Sequence, residues 1–113
     1  MSKISFEGIG EMVATFACGE DVTAGQVVKV TDDGTVGPCT AGDRVCGVAL
    51  SAEDGYAAVQ LGGMVTVTVT GGDVTAGWAK LSADGTGGMK KDAEAGTDYL
   101  VVRAETGSAV VCL

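Results

Sequence analysis

The sequence predicts an all-β protein, a compact β-barrel or sandwich of about ten short strands built from two related units. Three observations carry that prediction. The pentapeptide DVTAG stands at Asp21–Gly25 and again, letter for letter, at Asp73–Gly77, 52 positions on. Short runs rich in Val, Thr and Ala alternate with turn signals at intervals of roughly eight to twelve residues, the spacing of strands in sandwiches and barrels. Gly supplies 19 of 113 residues against one Pro, Pro38, which suits many tight turns better than a Pro-rich linker.

The repeat extends past the pentapeptide. At the same offset Asp32 falls on Asp84, Ala52-Glu53 on Ala104-Glu105, Gly55 on Gly107, Val59 on Val111 and Leu61 on Leu113. Two units follow, 21–61 and 73–113, inside one β domain of 1–113 whose first twenty residues supply further strands, ISFEG and MVATFA. Stacked arrays need about three or more copies, so this is a duplication and not a solenoid.

Within each unit DVTAG reads as a turn that delivers the chain into a hairpin, with Gly25 and Gly77 where the backbone needs positive φ. QVVKVTD then runs into Asp33-Gly34, and WAKLSA into Asp84-Gly85; Asp-Gly between β-prone runs is a strong hairpin signal. DRVCGVALS and YAAVQL flank a turn at Ala52–Gly55, as DYLVVRA and SAVVCL flank Glu105-Thr106-Gly107. Between the units MVTVTVT puts Val65, Val67 and Val69 on one face and Thr66, Thr68 and Thr70 on the other, a half-buried strand. EDGYAAVQL and MKKDAEAG are too short and too Gly-bounded for more than a turn or two of helix. Each unit buries one face and neither is large enough to fold alone, so the two are expected to share one core.

Five aromatics, Phe6, Phe16, Tyr56, Trp78 and Tyr99, leave that core to Val, Ala, Leu, Ile and Met. A chain of this size buries roughly 65% of its unfolded surface, and contacts between copies would add to a modest core. The net charge of −8 repels phosphate backbones and anionic membrane surfaces, which disfavours nucleic acid and membrane as partners. The one basic pair, Lys90-Lys91, is met at once by Asp92 and Glu94 and reads as a solvated loop. No apolar run approaches ~18 residues. Glu7 and Glu11 interrupt any signal-peptide apolar region, so the expected location is the cytoplasm or whatever is assembled there.

Candidate chemistry is sparse. With no histidine, Ser-His-Asp and Cys-His arrangements cannot be drawn. Asp33-Gly34-Thr35 and Asp84-Gly85-Thr86 hold the letters of an aspartic-protease Asp-Thr-Gly in the wrong order and read as hairpin turns. Acidic turns such as TDDG and GEDV lack the spaced ligands of a calcium loop. Gly8-Ile9-Gly10 never completes G-x-G-x-x-G, and Glu11 would repel a phosphate. Cys18, Cys39, Cys46 and Cys112 form no CxxC pair and are expected to be reduced and buried, a Cys39–Cys46 disulfide or a four-cysteine zinc site being the alternatives. Trp78 stands where a 52-residue offset puts Gln26, and is read as the core ring of the second hairpin rather than an exposed contact. No catalytic, cofactor-binding or metal residue is therefore assigned, and no cofactor is expected.

The order of motifs carries more. The strand Asp43-Arg44-Val45-Cys46-Gly47-Val48-Ala49, the segment Val59-Gln60-Leu61-Gly62-Gly63-Met64-Val65-Thr66-Val67, and Val74–Gly77 followed by Asp84-Gly85 resemble small capsid decoration, or cement, proteins of tailed phages and prophages over roughly residues 20–113. That resemblance implies a non-enzymatic structural protein of the virion that binds the assembled shell. Its partner would be the major capsid protein, and it would act as a homo-oligomer, most often a trimer. The alternative from the residues is a small ligand- or carbohydrate-binding β module with a groove lined by Trp78 and Tyr56 or Tyr99; an enzyme of Ser/Lys or Asp type is the third reading.

Overall fold

The computed structural model describes residues 9–71 and 74–113; ISFEG, Gly8 and Asp73 lie outside them. The described residues form ten strands and no helix: β1 Met12–Cys18, β2 Val27–Asp32, β3 Thr35–Pro38, β4 Gly47–Glu53, β5 Tyr56–Gly62, β6 Met64–Thr70, β7 Gly77–Ala83, β8 Met89–Lys91, β9 Thr97–Glu105 and β10 Ser108–Cys112. They close into two five-stranded barrels, one in the order β1-β3-β2-β4-β5 and the other β6-β8-β7-β9-β10. Each barrel has one parallel pair, β1 with β3 and β6 with β8, and every other pair is antiparallel. The fold is thus all-β and built from two related units.

The strand pairing gives wider units than the sequence match. MVATFAC and MVTVTVT, read as strands before and between the units, are the first strand of each barrel. The offset also varies along the barrel. β4 and β5 match β9 and β10 at 52, since Ala49 faces Val59 as Val101 faces Val111. β1 matches β6 at 51, because Ala14 faces Val59 as Val65 faces Val111. β2 meets β4 as β7 meets β9, again at 51: Val27 faces Val48 as Trp78 faces Leu100. A one-residue slip moves a side chain to the other face of its sheet.

That slip overturns the reading of Trp78. It sits on the outward face of β7, at the place of Val27 and not of Gln26, and is 74% exposed. The second hairpin is also wider than expected. Asp33-Gly34 is a two-residue turn between β2 and β3, but Asp84-Gly85 opens a loop that runs to Gly88 before β8 begins. The Asp84 carboxylate holds this loop, accepting the N–H groups of Thr86 (2.7 Å) and Gly88 (3.1 Å). In the first barrel the β4–β5 turn narrows to Asp54-Gly55, both at positive φ (55° and 82°), the pairing that suits the twist of a two-residue hairpin.

Gly25 and Gly77 do take positive φ, 88° and 111°, with open space where a Cβ would stand. Gly25→Val and Gly77→Val are each expected to destabilise the fold by about 1–3 kcal/mol through backbone strain alone. Thermal melts matching the wild type would show that these turns tolerate any residue.

Two buried clusters fill the molecule. Val22, Val28, Val36, Ala49, Ala57 and Val59 fill the first barrel. The second cluster holds Val65, Val67, Val69, Leu81, Met89, Val101 and Val111 of the second barrel, and Val27, Cys39, Val45 and Val48 of the first join it. The shared core is therefore one cluster of the two. Backbone bonds reinforce the seam: the Val27 N–H donates to the Gly87 carbonyl (3.0 Å), and Ala83 exchanges bonds with Gly42 and Asp43 (2.9 Å each). One residue, Gly63, links the barrels; Met64 N–H donates to Ile9 C=O and Leu113 N–H to Gly63 C=O, each at 2.9 Å.

Candidate functional site

Where the barrels meet, a cleft of about 590 Å³ is lined by residues of both, among them Lys29, Asp43, Arg44, Cys46 and Tyr99. The β2 strand brings Lys29, and the turn after Pro38 brings Asp43. Their side chains pair at 2.7 Å. Asp43 also accepts the Thr40 N–H and hydroxyl, both at 2.9 Å. Lys29 and these two bonds bring the Asp43 carboxyl down to about 2, and the same pairing raises Lys29.

The other groups of the seam are held in their resting forms. Burial pushes the Cys39 thiol up to about 11, with Asp43 adding to it, and burial also raises Cys46. Tyr99 is 7% exposed, its hydroxyl donates to the Val45 carbonyl at 3.4 Å, and burial raises it too. A reactive thiol or lysine needs the opposite shift, towards neutral pH. The seam is built as a packed and hydrogen-bonded joint.

Elsewhere the carboxylates hold turns. Burial raises Asp84, but the bonds from Thr86, Gly88 and the Thr70 hydroxyl outweigh it and leave the group below its ordinary value. The Ala95 N–H, the Ser82 hydroxyl and the Glu94 N–H do the same for Asp92. Lys90 and Lys91 lie on β8, half-buried and exposed, and not in a loop. All four cysteines are free thiols, Cys39 buried and the others half-buried. Among the described residues no three His, Cys, Asp or Glu side chains gather as metal ligands do.

These depressed carboxylates give stability a pH dependence of definite sign. Asp43, Asp84 and Asp92 release protons more readily folded than unfolded, so their contribution is present above about pH 4 and is lost as pH falls through their lowered values, which for Asp43 is about 2. Urea midpoints are expected to drop over that interval, and to drop less in Asp43→Asn. A flat profile would show that the three carboxylates are equally acidic in the unfolded chain.

The aromatic groove does not form. Tyr99 is buried in the seam, while Trp78 lies outside the second barrel and Tyr56, 61% exposed, outside the first. What the structure assembles instead are two outward faces. On the first barrel, β4, β5 and β1 lie side by side, with Leu50, Tyr56 and Val13 exposed among the small side chains Ser51, Ala58, Thr15 and Ala17. On the second, Trp78, Leu100, Cys112 and Met64 stand in one row across β7, β9, β10 and β6. The sequence could not single out either face, because both depend on register.

Fold and surface together define a duplicated, acidic, two-barrel β protein with single large apolar side chains, Tyr56 and Trp78 foremost, exposed on the outer sides of its barrels. No model of a known family and no curated protein matches the chain.

Proposed function

We propose that this protein is a structural capsid decoration protein of a tailed phage or prophage, which binds the outside of the assembled shell, ties neighbouring major capsid protein subunits together, and carries out no reaction. The observation that carries the reading is the outer face of the first barrel. Large exposed side chains, Leu50, Tyr56 and Val13, stand there over small ones on three adjoining strands, the make-up of a surface that docks on another protein. The order of strand and turn motifs supports the same reading. A homo-oligomer, with a trimer favoured, belongs to it. Binding only to the assembled lattice stabilises that lattice by mass action, and many weak contacts per shell add up.

The test mixes the purified protein with its cognate shells and with unassembled capsid subunits, then counts copies sedimenting with each. Selective, saturable binding to shells is expected. Tyr56→Ala is expected to weaken it by about 30-fold, the effect of losing a contact of about 2 kcal/mol. Equal binding to shells and subunits, or to neither, would refute the reading in favour of a ligand-binding module.

A further inference from the structure

The cleft between the barrels rests on a packed floor, where Val45 and Tyr99 are buried, but its walls present apolar surface to solvent. Val30 stands there 55% exposed, and Leu61, Leu113 and Cys46 are half-buried. The duplication supplies a control for this exposure. Both positions that match Val30 on β7, Leu81 by the pairing with β9 and Ala83 by the pairing with β8, are at 0%. A position sealed in one barrel is therefore open in the other. It opens into a space of about 590 Å³, within the range of small-molecule sites, which are mostly apolar with a few fixed polar groups.

Three charged side chains line the cleft, and two of them neutralise each other. Lys29 pairs with Asp43 at 2.7 Å, and Asp43 is fixed further by the Thr40 N–H and hydroxyl. Arg44, next in the chain, is exposed, and among the described residues no carboxylate pairs with it. Its charge reaches the Tyr99 hydroxyl, drawing that group back against the rise that burial imposes. A guanidinium offers two parallel N–H donors to the two oxygens of a carboxylate, whereas an amine would meet it as a like charge. The net charge of −8 opposes any anion at long range, although salt screens this beyond about 8 Å at physiological ionic strength. Affinity must therefore come from covering the apolar walls, and selectivity from Arg44.

We infer that the cleft between the barrels binds a small amphiphilic carboxylate, its hydrocarbon body lying on Val30, Leu61 and Leu113 and its carboxylate on Arg44. This goes beyond the proposed function and does not rest on it, because the test contains no shell.

Octanoate is the probe, titrated into the full chain by calorimetry and followed in methyl NMR spectra. Saturable binding of one octanoate per chain is expected, with shifts at the methyls of Val30, Leu61 and Leu113 and none at Val13 or Leu50 on the outer face. Octylammonium, the same body with the opposite charge, should bind at least about tenfold more weakly, and acetate, the head without the body, not measurably. Arg44→Gln should weaken octanoate by about tenfold, the effect of losing one charge-assisted pair, and Val30→Glu should abolish binding by setting a carboxylate where the body lies. Both side chains are exposed, so wild-type melts are expected of both variants; should either melt early, the comparison of the three probes on wild type decides alone. No saturable binding, equal affinity for octanoate and octylammonium, or shifts confined to the outer faces overturns the inference. So does wild-type affinity in Arg44→Gln. Shell binding scored with Tyr56→Ala is a separate readout, and either can fail while the other holds.

Discussion

Gly63→Val is expected to destabilise the protein by about 3 kcal/mol or more, enough to leave a small domain largely unfolded on mild heating. Two effects add there. The residue has φ of +84°, which a β-branched side chain adopts only with strain. A Cβ at that point would also stand 2.5 Å from the carbonyl carbon and oxygen of Gly10 and 2.6 Å from the oxygen of Ile9, all backbone atoms that cannot rotate aside. Gly25→Val, where φ is positive but the space is open, supplies the comparison. Urea unfolding of the two variants separates strain from collision. Equal midpoints would mean that the collision is relieved at no cost and that the junction is loosely packed.

Leu81→Ala is expected to lose about 3 kcal/mol, the usual effect of removing a fully buried leucine whose surroundings cannot collapse into the gap. Leu81 is at 0% exposure in the cluster that both barrels share. Its relation on the first barrel, Val30, is more than half exposed, and Val30→Ala measured in dilute protein should lie within about 0.5 kcal/mol of wild type. The contrast is the informative quantity, because the two positions share one place in the duplicated pattern. Similar losses at both would show that Val30 is covered in solution even by the single chain.

Much of the architecture was legible before any coordinates. Alternation in MVTVTVT put Val65, Val67 and Val69 inside, and all three are buried with the threonines exposed. Asp33-Gly34 and the positive φ at Gly25 and Gly77 followed from the one residue type that accepts those conformations. What escaped was register. The pairing slips between Met12 and Val13, between Ala49 and Ser51, and between Val110 and Val111, each a bulge that no composition signal marks. Because a slip of one residue exchanges the faces of a strand, the same uncertainty that misplaced Trp78 also hid both outward apolar faces. The seam between barrels was out of reach for another reason: Lys29, the stretch from Asp43 to Cys46, and Tyr99 come from three separate segments and meet only when both barrels have closed.

The single-residue junction has one more consequence. Ile9 and Leu113 bond to the two residues, Met64 and Gly63, on either side of the same peptide link, so the flanks of the first and last strands lie beside the crossing point between barrels. Which barrel comes first along the polypeptide is therefore almost immaterial to the finished shape. A gene rearranged to encode β6–β10 before β1–β5, with a short bridge from Leu113 to Ile9 and new termini opened at Gly63, would present every face described here in the same place. Circular permutation is thus a natural route to moving a fused cargo on this molecule without rebuilding its surfaces.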